Sequence, residues 1–206
     1  WIAVMGIAFG LVVLANSENA PAKRRRRELL RFAEGALAHA ACVLGVPAPS
    51  LVAAAGIGNA ASDGTRILVR LSWLDGVLAR HCDDTRCRAE VVVGLMAHEL
   101  AHHILADVRA RRVPHLSRAR ELRADLVAGW VMGQAGLSTD GFERVLRELA
   151  AVCTSTHPAW PDRLVALDRG FVAALANAPL QVAMLHHEPD LGARAMTCSV
   201  PVWRMT

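Results

Sequence analysis

The chain has no tyrosine, and aromatic residues make up 4% of its 206 positions. Nucleic-acid readers interleave basic side chains with aromatics or carry a recognisable binding motif. Neither pattern is present, so the sequence speaks against nucleic acid as a partner. Five cysteines occur, and none of their spacings is a metal signature. There is no internal repeat and no set of long apolar runs. The one such run, Trp1 to Ala15, is too short to span a bilayer.

What is present is apolar and compact in style. Hydrophobic residues make up 53% of the chain, rich in Ala, Val and Leu, which argues against disorder and for packed helices. The length suits one domain with a proper core. The formal net charge of +4 is unevenly spread: Lys23 to Arg27 form one basic run, and a second scatter lies between Arg109 and Arg123. These read as solvated helix faces and a membrane-flanking cluster.

Two readings are open for residues 1–22, since the chain begins on Trp1. One is a signal-peptide core with small-residue cleavage sites at Val13-Leu14-Ala15 or Ala20-Pro21-Ala22. The other is a truncated membrane anchor flanked on the cytoplasmic side by Lys23 to Arg27. The expected location is membrane-associated or exported, to a periplasmic or extracellular space. The catalytic domain is expected over residues 23–206, with 177–206 a weakly periodic tail of unassigned role. Cys82 and Cys87 bracket a short polar loop; a disulfide in an exported domain and two separate thiols are both open. Cys42 lies in an apolar helical stretch and reads as packed.

Apolar residues recur at helical spacing from Glu28 to Leu44, where Gly45, Pro47 and Pro49 stop the pattern. Leu51 to Val69 reads as a small antiparallel sheet, broken by the turn Ser62-Asp63-Gly64, with Thr65 to Arg70 its clearest strand. Ser72 is a candidate cap for a helix through Ala79. A long helix is expected from about Arg88 to Arg111, ended by Pro114. Ser117 is a candidate cap for the next, reaching Gly133 or Gly136. Ser138 or Thr139 starts another, and Arg163 to Ala176 reads as the last.

The chemistry is concentrated in His98-Glu99-Leu100-Ala101-His102. Two histidines four apart share one helix face, one turn from each other, so both imidazoles reach one ion. Glu99 points off at another angle, where it can meet a water rather than the metal, as a general base must. Glu121 and Asp125 repeat the one-turn spacing downstream. Glu121 can supply a third ligand, and Asp125 can accept a hydrogen bond from a ligating imidazole. Three protein ligands to one zinc ion leave a fourth position open, the catalytic pattern. His103 points away from the other two and is not counted as a ligand. His186, His187 and Glu188 read as surface residues of the tail.

Four segments together resemble the HtpX and CAAX-prenyl-protease group of gluzincin metallopeptidases. Ala97 to His102 resembles that family's zinc helix. Glu121 to Asp125 resembles its Glu-x-x-Ala-Asp segment. Ser155-Thr156-His157-Pro158 with Arg163 resembles its Ser-Thr-His-Pro segment and later Arg. Ile57 to Ala60, then Thr65 to Leu74, resembles its Asn-Ala edge strand and the passage that follows. Ala61 and Ser62 stand where the family has an aromatic residue, and the family's long membrane helices are missing.

The resemblance implies a mostly helical α+β, zincin-like metallopeptidase domain with a small antiparallel sheet beside the active-site helix. It implies a zinc endopeptidase acting on protein or peptide substrates, with the strand at Asn59 and Ala60 binding extended substrate by strand addition. Gluzincins often use Tyr or His to stabilise the oxyanion. With no Tyr in the chain, His157 is the candidate and Arg163 the runner-up. The alternative is a catalytically silent or tail-inhibited zinc-binding domain that holds client peptides or a partner, with His186 or Cys198 on the open metal position.

Overall fold

The computed structural model describes residues 20–105, 114–149 and 158–180. They form a mostly helical α+β arrangement. In chain order the elements are α1 (Ala20–Leu44), β1 (Ser50–Ala53), β2 (Ala60–Ser62), β3 (Arg66–Val69), α2 (Leu71–His81), α3 (Thr85–Ile104), α4 (Pro114–Gln134), α5 (Asp140–Leu149) and α6 (Trp160–Leu175).

The central element is α3. Every residue from Ala89 to Ala101 is buried, so this helix is surrounded rather than half-solvated. Its start is fixed by Asp84, whose carboxylate accepts from Cys87 N at 2.7 Å. Around it pack α1, through Leu29, Phe32, Ala33, Ala36 and Leu37, and α4, through Ala124, Val127, Ala128 and Val131. Phe142 and Leu146 of α5 close another side.

The helix α6 packs along α4 with almost no gap. A Cβ added at Gly129 would overlap the carbonyl of Leu167, and one at Gly170 would overlap the carbonyl of Leu126. Glycine at both places lets the two backbones touch.

The three-stranded sheet has the order β1-β3-β2. It is mixed rather than antiparallel: β2 and β3 form a hairpin, and β1 pairs with β3 in parallel, Leu51 opposite Ile67. The hairpin turn is held by Asp63, whose Oδ1 accepts from Thr65 N at 3.0 Å and Arg66 N at 2.9 Å. Gly64 sits at φ 87°, the left-handed region such a turn requires.

Other element limits also move. Ala20 to Ala22, the last residues of the stretch read from sequence as a signal peptide or membrane anchor, are helical and continuous with the rest of α1; residues 1–19 lie outside the described residues. Arg70 rather than Ser72 precedes α2, and no side chain caps it. Pro114 lies in α4, and residues 106–113, which would join it to α3, lie outside the described residues. Thr139 and Ser138 do serve the start of α5: Thr139 Oγ1 donates to Glu143 Oε1 at 2.8 Å, and Ser138 Oγ accepts from Asp140 N at 3.1 Å. Cys82 and Cys87 are joined in a disulfide between α2 and α3. Cys42, expected as a packed thiol, is disulfide-bonded as well.

Candidate metal centre

Two buried helices bring the expected residues together. His98 and His102 project one turn apart from α3, and Glu121 comes from α4. His98 Nε2 and His102 Nε2 are 3.1 Å apart. Glu121 Oε2 lies 3.6 Å from His98 Nε2, and Glu121 Oε1 lies 3.4 Å from His102 Nε2. In a tetrahedral zinc site with bonds of about 2.0–2.1 Å, neighbouring donor atoms stand about 3.3 Å apart. The three observed separations bracket that edge. Two imidazole nitrogens and a carboxylate are also a donor set zinc accepts. His98, His102 and Glu121 therefore fit one ion on distance and on chemistry.

The support behind this triad is ionic. Asp125 is fully buried (0% exposed), one turn along α4 from Glu121. Its Oδ1 lies 3.0 Å from His98 Nδ1 and 2.8 Å from Arg163 Nη2, while its Oδ2 lies 2.7 Å from Arg163 Nε. The arginine contact is a well-aligned two-pronged pair. The histidine contact is short but falls outside hydrogen-bond alignment. Arg163 is 5% exposed, and its Nη2 also stands 3.5 Å from Glu121 Oε2. One guanidinium on α6 thus steadies both carboxylates of α4. Sequence inspection put Arg163 forward as a donor to substrate; the guanidinium is turned toward Asp125 and Glu121.

Glu99 is 7% exposed and next to His98. Burial pushes its carboxyl pKa up, opposed by the positive character of His98 and His102. For Glu121, burial acts in the same upward direction, but the imidazoles of His102 and His98 beside it outweigh burial and hold the carboxyl well below its usual range. Burial would lower His98, yet Asp125 and Glu121 more than offset it and raise the imidazole. Arg163 is likewise disfavoured by burial and raised on balance by Asp125. Negative charge around the two imidazoles is what a cation would meet.

The sheet lies beside this centre. β2 is an edge strand, packed against α3, and Ser62 Oγ is 3.3 Å from His103 Nδ1. Ala60 opens β2 opposite Val69. Asn59 immediately precedes the strand, and its carbonyl accepts from Arg70 N at 2.7 Å. His157 lies outside the described residues, as do His186, His187, Glu188 and Cys198.

Three features of the centre were missed from sequence. Gly94 lies one turn before His98 and leaves room for Phe142, since a Cβ there would crowd that ring. Phe142 in turn lies 6.5 Å, ring to ring, from His98. Glu90, two turns earlier, is buried and accepts from Gly141 N at 3.2 Å, tying the start of α5 to α3. The tie of His103 to Ser62 is the third. The glycines leave a trace in sequence as small residues four apart, as at Gly129 and Gly133; the polar pairs join distant segments and leave none.

No protein-family model, curated protein or solved structure matches the chain. The functional reading therefore rests on the residues of the site.

Proposed function

We propose that this chain is a zinc-dependent endopeptidase of the gluzincin kind its sequence segments resemble, with a zincin-like domain. The observation that supports the reading is the triad of His98, His102 and Glu121 at tetrahedral spacing, with the buried carboxylate of Glu99 adjoining it. His98, His102 and Glu121 would hold the ion. When bound, zinc supplies Lewis acidity that polarises a peptide carbonyl and activates water.

The residues of the chain divide the remaining work. Glu99 is rotated about 100° from His98 around α3, so its carboxylate is free of the ligand set. It takes the proton from the attacking water and passes it to the leaving amine. Asp125 sets its charge 3.0 Å from His98 Nδ1, and Arg163 fixes Asp125 through two hydrogen bonds, so Arg163 is a positioning residue. That leaves His157 as the candidate donor to the oxyanion. The open edge of β2, from Ala60, receives the substrate backbone by strand addition, with Asn59 at its entry.

The test is metal analysis of the purified chain beside a caseinolytic assay. Wild type holds one zinc and cleaves. Glu99→Gln keeps the zinc and loses about 10²- to 10⁴-fold in rate. His98→Ala and Glu121→Ala lose the metal. If Glu99→Gln cleaves as fast as wild type, the assigned base is wrong. If wild type binds zinc and cleaves nothing, the chain is a binding module.

A further inference from the structure

The first nine residues of α1 extend past the core. No residue from Ala20 to Glu28 is buried; the helix starts to pack at Leu29. This overhang amounts to about 13 Å of helix. It carries Lys23, Arg24, Arg25, Arg26 and Arg27 in succession, all exposed, with Arg31 exposed a turn later. Arg24 pairs with Glu28 at 2.7 Å, and Arg25 with Asp75 at 2.8 Å. Among the described residues Lys23, Arg27 and Arg31 make no ion pair.

The charge of the molecule is concentrated here. Residues 23–34 hold six of the chain's 23 basic residues and two of its 19 acidic ones, which leaves 17 of each elsewhere. The whole formal charge of +4 therefore resides in this stretch.

We infer that the overhanging end of α1 docks on the surface of a bilayer containing anionic phospholipid. Five consecutive basic residues at 100° steps spread positive charge around the helix, apart from the side where Arg25 meets Asp75 of α2. A directional partner, such as a nucleic-acid groove or an acidic protein face, is met by a stripe along one side. A charged plane needs no such stripe and is met by whichever side faces solvent. The sequence just before the overhang is the uncharged apolar run Trp1 to Ala15. An apolar segment beside a basic cluster is the two-signal combination that stable membrane attachment needs. This inference does not depend on the protease reading.

The experiment is co-flotation of the full chain with vesicles of phosphatidylcholine alone, or with about one third phosphatidylglycerol. Binding is expected to favour the anionic vesicles and to fall steeply in high salt. Lys23→Gln, Arg27→Gln and Arg31→Gln combined should weaken binding to those vesicles about 100-fold. The triple variant should keep the helical spectrum and the melting temperature of wild type, which separates lost docking from lost folding. Equal binding to both vesicle types would overturn the inference in favour of the apolar segment alone. So would unchanged binding of the triple variant. Release of the chain from anionic vesicles by duplex DNA at matched charge would overturn it in favour of nucleic acid.

Discussion

Replacing Asp125 with Asn keeps the size of the side chain and removes the negative charge that Arg163 and His98 both face. Two effects follow. A buried guanidinium loses its carboxylate, and breaking such a pair costs about 3–5 kcal/mol. The ring of His98 loses its partner, which lowers metal affinity about 10- to 100-fold. Denaturant unfolding and chelator-competition titration read the two separately. Wild-type stability and zinc affinity in the Asp125→Asn variant would show that Asp125 does neither. That His98 and His102 share a face was legible from sequence, because spacing along a helix is local: residues four apart share a face whatever the tertiary structure. That Glu121 meets them depends on how α3 and α4 pack. The pairing of Asp125 with Arg163 spans 38 positions and depends on how α4 and α6 pack. Nothing local encodes it.

Helices α4 and α6 hold their register through backbone contact at Gly129 and Gly170. A methyl at Gly129 must push Leu167 away, and overpacking of this kind costs about 1–3 kcal/mol. The same displacement shifts Arg163 against Asp125. Gly129→Ala should therefore lower both the melting temperature and the zinc content, although residue 129 touches no ligand. Loss of stability with full zinc content would separate the helix contact from the site. At this scale the helical periods read well, since most of the elements bury one face. Starts read less well. Ser72 and Ser117 were attractive caps by residue type, but Ser72 lies in the first turn of α2 and Ser117 inside α4. The sheet was misread for a different reason. The turn at Asp63 and Gly64 marks a hairpin and nothing more; whether β1 joins it, on which side and in which direction, is decided by long-range packing.

Across the whole molecule, the disulfide between Cys82 and Cys87 clamps the end of α2 to the first turn of α3. Closing so short a loop stabilises by about 2 kcal/mol in the chain-entropy account. Replacing both cysteines with Ser should reduce unfolding stability by that amount, with metal content intact because the ligands lie further along α3. Unchanged stability would show that the crosslink is incidental.

The pairing of Arg163 with Asp125 also bears on what an ion would do to the protons of the centre. The guanidinium and the carboxylate cancel each other's charge inside the protein. Among the described residues Glu99 has no such partner, and burial works against its ionised form. A cation held beside it would reverse that balance, so loading the centre is expected to release a proton to solvent.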